Sequence, residues 1–472
     1  MTLKIFDPML MIGISLAVVF LMPIWKTLGG KKLAWLVSVL LYAFNTLFMI
    51  GVSYRALLYP EGFVVKIGGF NPPFGIVLHV TLWGSILATF VWFVAFLSIL
   101  YASTRYDAEP ADVYYALLTL IALGSSGMFL TGDIFNLFVF TEITALAAFG
   151  LSGFMKKKGT SFATIKYVIM AEVASAFLLV AIALLYGKLG TLNMIDAAAT
   201  LKGIGMTGAM VLSVLFFLIG YGVEAEIFPL NLWAPDVYRY VPEEVIALFI
   251  SGSSKAAAFA WLRMWVMVFG VPQKLLDTML WIGVITFIFA ETMAYSQKNF
   301  RRALGYASLG QAGLVFTAIS LGTDLSLKAA FLLMLNHILS EAVLFYIAGN
   351  LSEDGTAPAS VKLPLIFGFL GAVSMPPFIG FWGKIFLFMA LAKTGHIAMF
   401  VLIALFSIVE VAYMYRWFVK LYGGTSQMDL TRSLSPVLLT LVSFIMWFMP
   451  LVPQAVNILD MVVKPFLQKG VM

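Results

Sequence analysis

Apolar runs of about 20 residues recur from one end of this chain to the other, separated by short polar or Pro/Gly-containing breaks. A bilayer's hydrocarbon core is about 30 Å thick and takes roughly 20 helical residues to cross, and inside it each run must satisfy its backbone hydrogen bonds internally. The pattern therefore predicts an all-α polytopic membrane protein. With 62% of residues hydrophobic and 11% charged, 472 residues cannot make a soluble globule with a polar exterior. The runs lie near 8–25, 33–54, 75–103, 113–131, 134–154, 163–187, 208–240, 243–270, 275–295, 303–322, 327–350, 363–393, 396–421 and 434–457. They predict about 14 transmembrane helices in one membrane domain, 1–472.

The net charge of +6 raises the question of nucleic acid, but the basic residues are scattered through the breaks, as at Lys31-Lys32, Lys156 to Lys158 and Arg301-Arg302. They read as topology signals. Breaks after odd-numbered runs carry Lys26, Lys31, Lys32, Arg105, Lys156, Lys157, Lys158, Arg239, Lys298, Arg301, Arg302, Lys362 and Arg432. Those after even-numbered runs carry mainly Arg55, Lys66, Lys188, Lys202, Lys274, Lys328 and Lys393. The excess predicts a cell-membrane protein with both termini outside. Met9 to Met22 lacks a basic leader and a small-residue cleavage site, so it reads as a retained first helix.

The chain has no cysteine, which excludes disulfides, thiolate metal ligands and iron–sulfur ligation within it. His79, His337 and His396 are too dispersed for bis-histidine haem sites. No Walker loop, dinucleotide fingerprint or metalloprotease motif occurs. The expectation is no cofactor, no resident metal and no catalysis on a soluble substrate.

Two runs are overlong and contain breakers: Ile227 to Pro235 in the seventh, and Ser374 to Gly380, with Pro376-Pro377, in the twelfth. Proline removes an amide donor and clashes with the preceding turn, so each helix should open there and free carbonyls that need water, ions or side chains. Discontinuous helices commonly line a path. The separation of the breaks predicts two inverted five-helix repeats, about 113–270 and 275–421, within a core of 75–421.

Glu142, Glu172, Glu224, Lys255, Glu341 and Lys384 lie inside or at a break in these runs. Charge there costs a few kcal/mol or more per residue, roughly, unless it faces a bundle interior or hydrated cavity and finds partners. Helical spacing puts Phe135, Phe138 and Glu142 on one face, leaving a poorly solvated carboxylate whose charge is switchable. The alternative is a structural acid bonded to a neighbouring helix. Lys255 follows Ser251-Gly252-Ser253-Ser254, small residues that leave room for close helix approach and water, and suits the centre of a proton relay; a permanent ion pair serving assembly is its alternative. Lys384 follows the Pro376-Pro377 break, with snorkelling to the surface as its alternative. His337 and Glu341 share a helical face, as a titrating bridge or as a packing pair. Arg263, Glu291 and Glu410 carry less weight and are read as local pairs or interface groups.

Several segments together resemble the antiporter-like subunits shared by respiratory complex I, membrane-bound hydrogenases and multisubunit Na+/H+ antiporters. Phe129 to Glu142 resembles the fifth-helix segment with its key glutamate, and Pro229 to Asp236 the broken seventh helix. Ser251 to Lys255 resembles the eighth-helix lysine motif, Gln297 to Gln311 the loop and tenth helix, and Pro376 to Lys384 the broken twelfth helix with its terminal lysine. The resemblance runs from about residue 70 to 420 and is greatest to the D-type component of the multisubunit antiporters and its hydrogenase counterparts. It implies partners in a larger membrane complex and a half-channel from each side, joined by a hydrated axis through Glu142, Lys255 and Lys384.

The chain departs from that family at three positions. Glu224 stands where the family usually has the seventh-helix lysine, Glu341 where many relatives have a lysine four residues after the histidine, and Thr81 where a third-helix aspartate is common. The first change makes Glu142 and Glu224 candidate like-charge neighbours, a pair suited to sharing a proton or binding a cation such as Na+. The reading is a proton-translocating subunit, with Na+ as a second candidate ion, using Glu142, Glu224, Lys255, His337, Glu341 and Lys384. A non-conducting structural paralogue and, further off, a solitary secondary carrier are its alternatives.

Overall fold

The computed structural model of the chain describes residues 6–103, 110–154, 158–352, 354–447 and 453–467. Arg105, Lys156, Lys157, both extreme termini and part of the last expected run lie outside them. The described residues form a helical membrane protein, and ten of its helices are long and apolar enough to cross a bilayer. The sequence-based count of 14 differs for visible reasons. One 50-residue helix, α1 (Pro8–Leu57), contains the first two runs, and they part at Gly29 and Gly30, whose backbone is not helical. The seventh, twelfth and last runs form shorter helices.

Between the second and third runs the chain makes an antiparallel hairpin, β1 (Phe63–Lys66) with β2 (Val77–Val80), Phe63 opposite Val80. The third run was expected to be helical from residue 75; instead α2 (Leu82–Ala102) begins after the strand. The Pro72-Pro73 pair and the β-branched Val77 and Val80 disfavour an earlier start. Thr81 is not an intrahelical group but the N-cap, its hydroxyl accepting from the Gly84 amide at 3.2 Å.

Next come α3 (Ala111–Leu130), α4 (Ile134–Gly153, capped by Asp133), α5 (Lys158–Leu189), a short α6 (Met194–Ile204) and α7 (Gly208–Glu224). After α7 the chain opens, turns through Glu226 in the left-handed region (φ 65°), and resumes as α8 (Ala234–Tyr240). Then follow α9 (Glu243–Val268), α10 (Gln273–Ser296), α11 (Phe300–Leu321) and α12 (Asp324–Ala348). The second opening separates α13 (Lys362–Ala372) from α14 (Ile379–Lys393), with Ser374 left-handed at φ 58°. The last helices of the described residues are α15 (Ile397–Leu421), α16 (Leu430–Met446) and α17 (Pro453–Leu467).

The most apolar windows of α9, α11 and α12 are wholly buried, whereas α1, α5 and α15 turn most of theirs outward. Three helices thus form a core that lipid does not reach, and the outer ones supply the hydrocarbon-facing surface. Polar side chains on α9, α11 and α12 must find their partners inside the protein.

Candidate functional site

Both openings free backbone carbonyls, and side chains answer them. At the first, Asn231 Nδ2 donates to Glu226 O at 3.0 Å and Trp233 Nε1 to Val223 O at 3.1 Å. At the second, Asn336 Nδ2 donates to Gly371 O at 2.9 Å, and Gln311 Nε2 approaches Ala372 O at 3.5 Å. Each break is therefore a built feature in which side-chain amides and an indole supplement the remaining backbone bonds, Glu226 N to Val223 O at 3.3 Å and Ser374 N to Gly371 O at 2.9 Å.

The first break also places two carboxylates. Glu224, the last residue of α7, accepts from the Tyr167 hydroxyl at 3.1 Å and the Ser253 hydroxyl at 3.3 Å. The left-handed turn sends Glu226 inward, where it accepts from Tyr238, and from Ser308 at 3.3 Å. Tyr167 stacks on Trp233 at 3.9 Å, which ties α5 to the break. Glu142 lies farther out on α4, half-buried, facing Ser175 and Glu172 of α5. Its field reaches Glu224, so these carboxylates are electrostatic neighbours, and Phe135 beside Phe138 is partly exposed on the same flank.

Lys255 is buried on α9, just after a widened, π-helical turn at Phe249–Ser253. Its ammonium lies 3.3 Å from Ser254 Oγ, and the charges acting on it are Glu226 and Glu341. Glu341 stands beside His337, whose Nε2 is 3.0 Å from Glu341 Oε2 and 3.0 Å from Ser308 Oγ. Ser308 therefore touches both Glu226 and His337. A continuous polar path runs from Tyr238 through Glu226, Ser308 and His337 to Glu341, with Lys255 alongside.

The second break leads to Lys384 on α14, buried and ion-paired with Glu410 of α15. The other Glu410 oxygen accepts from Gln311 Nε2 at 2.7 Å. Glu291 on α10, also buried, shares the field of Glu410, Lys384 and Glu341, with the Tyr413 hydroxyl beside it. Lys384 does not snorkel to the surface.

Lys255, His337 and Glu341 thus form one cluster, Glu224 lies at its α7 side, Glu142 on the flank beyond, and Lys384 in a separate pair. Residue reading alone gave no role to Glu226, Tyr167, Tyr238, Ser308 or Tyr413, and gave little weight to Glu291 and Glu410. Glu226 had a detectable signal, an acid at a predicted helix break. Glu410 had the signal of an acid inside an apolar run, but its pairing had none, because only tertiary packing brings it to Lys384. Arg263, fully buried on α9, belongs to neither cluster: it donates to His79 O at 2.8 Å and Phe129 O at 2.9 Å, joining β2 to α3. Among the described residues no group of three or more His, Asp or Glu is arranged to hold a metal ion.

The fold and site together define a polytopic membrane protein with two opened helices and a row of ionisable groups held in its interior. Residues 131–409 match the family model described as NADH:quinone oxidoreductase/Mrp antiporter, TM, and the chain belongs to that family. It is 31% identical to NADH-quinone oxidoreductase subunit N of Desulforudis audaxviator, over 74% of this chain and 73% of that one. To the D component of the Na(+)/H(+) antiporter of Alkalihalophilus pseudofirmus it is 28% identical, covering 74% of each. Among solved structures it superposes on a chain of the membrane-bound sulfane sulfur reductase, an archaeal respiratory membrane complex. The TM-score is 0.89 at 29% identity, covering 98% of this chain and 97% of that one.

Proposed function

We propose that this chain is an ion-translocating, antiporter-like subunit of a larger membrane complex, moving protons along the row Glu142, Glu224, Glu226, Lys255, His337, Glu341, Lys384. The observation that carries the reading is the Glu226–Ser308–His337–Glu341 path beside the Lys255 ammonium, all of it buried. Hydroxyl and imidazole groups in that order can accept a proton on one side and donate one on the other. A carboxylate that gains or loses charge next to Lys255 changes how firmly the ammonium holds its proton, so a charge change at one end travels laterally. Beyond Glu341, Glu410 and Gln311 continue the row to Lys384.

The two opened helices fit a pair of inverted five-helix units, 113–270 and 275–421, within a total of about 14 crossings. In each, a helix break is bridged by side-chain amides and followed by a buried lysine. The charge distribution in the loops favours termini outside. The relatives are named as subunits of a quinone oxidoreductase and a Na(+)/H(+) antiporter, which supports membrane partners for this chain. Na+ as a second ion rests on the neighbouring carboxylates Glu142 and Glu224.

The test is ion flux against assembly. Lys255→Ala and Lys384→Ala, expressed with the rest of the complex, should abolish proton movement into vesicles while the complex still purifies intact. Flux unchanged in both variants overturns the reading. A non-conducting paralogue is favoured by one feature, that Glu224 and Glu341 stand at positions for which the resemblance implies lysine. For that reading the same variants would lose assembly and not flux.

A further inference from the structure

The flank formed by α13 and α15 carries a groove that the ionisable row does not use. It has a volume of about 340 Å3 and is lined by Ile366, Phe369 and Val373 of α13 and its end and by Val411, Met414 and Phe418 of α15. Those spacings mark one face of each helix. The helices meet at one end through Phe369 and Phe418, ring centres 5.6 Å apart, and the groove opens sideways past the exposed Leu370 and Tyr415. Sideways here means toward hydrocarbon, since α15 turns most of its apolar surface outward.

The groove's two ends differ. At one, Lys362, a turn before Ile366, places its ammonium 5.5 Å from the Tyr422 ring, a turn beyond Phe418. Lysine and tyrosine at helix ends are both side chains suited to a membrane–water interface, where an apolar body and a polar tip are accommodated together. At the other end lies Met375, in the opening between α13 and α14. The 11 residues of α13 rise about 16 Å, close to half of a hydrocarbon core of about 30 Å. The groove is therefore about one leaflet deep, with a cation at its headgroup end and an apolar body below.

We propose that this groove is a phospholipid site: one acyl chain lies along α13 and α15, and an anionic phosphate sits against Lys362. The chain would fill the groove beside the stretch of α15 that carries Glu410 and Tyr413, and so keep water from reaching the Lys384–Glu410 pair from the lipid side. The inference rests on this groove alone and stands whether or not the row conducts ions.

The experiment uses the full chain in its complex, stripped of lipid in detergent and followed by native mass spectrometry and thermal melting. Phosphatidylglycerol, phosphatidylcholine of the same acyl chains, and inorganic phosphate are then added back separately. The wild type should retain and be stabilised by phosphatidylglycerol, more weakly by phosphatidylcholine, and not by phosphate. Lys362→Gln should weaken phosphatidylglycerol binding about five-fold, the contribution of one basic residue near a membrane surface. Val373→Trp, or the milder Val411→Phe, should fill the groove and abolish binding of both lipids. Equal binding of the two lipids to wild type and Lys362→Gln would overturn the proposal, as would stabilisation by phosphate alone, or a partner's helix seated in the groove of the intact complex.

Discussion

Lys384 and Glu410 show what a buried charge demands of its surroundings. Taking either ion out of water costs several kcal/mol, roughly, and each is tolerated because the other is present, with Gln311 satisfying the second Glu410 oxygen. Lys384→Ala should therefore destabilise the protein by about 3–5 kcal/mol, seen as a lower melting temperature in detergent. The double change Lys384→Met with Glu410→Gln should recover much of that loss. A single variant as stable as wild type would mean the pair is solvated. Glu224 differs, because its partners are the hydroxyls of Tyr167 and Ser253. Glu224→Lys introduces the residue that the resemblance implies for this position, and if position 224 sets the ion or the rate, it should alter ion preference or flux in vesicles. Unchanged transport would assign Glu224 a structural role.

The broken helices are decided by residues outside them. Prolines open α13–α14, but Asn336 on α12 makes the opening tolerable by donating to Gly371 O. Asn336→Leu should leave that carbonyl with the Ser374 amide as its remaining donor, at 2.9 Å, and so cost about 0.5–1.5 kcal/mol and speed hydrogen exchange around 371–378. Gly380 packs against the same side chain, and a Cβ there would lie 2.5 Å from the Asn336 amide. Gly380→Ala should thus reproduce the Asn336→Leu effect, and unaltered exchange in both would show that water bridges the break instead. The sequence located both openings through their prolines. It did not show that α7 already ends at Glu224, because the turn through Glu226 has no glycine to announce it.

Across the whole molecule, Arg263 joins parts far apart in the chain. Its guanidinium holds carbonyls of β2 and α3 from within α9, adding a buried side-chain tie to the Leu78–Thr131 bridge and the Gly132 N to Val77 O bond at 2.9 Å that also join the hairpin to the core. Arg263→Met should loosen residues 63–80 before the rest, measured as faster exchange there under conditions where α11 and α12 stay protected. Loosening spread evenly over the chain would argue against such a local tie.

The membrane-spanning character, the two openings and most of the central acids and bases were legible in the chain, because hydrocarbon admits few backbone solutions and penalises every charge it encloses. The hairpin was not, since a four-residue apolar strand reads like the start of a helix. Nor was the pairing of the charges. Composition shows that Glu291, Glu410, Lys384 and Lys255 must each find company; which of them meet depends on how α9, α10, α11, α12, α14 and α15 pack, and that contact information is spread over residues distant in the chain. The sequence by itself determined that this chain lies in a bilayer with ionisable groups inside it, and the tertiary structure alone decided which groups became neighbours, because desolvation acts on each residue separately whereas pairing needs two helices in register.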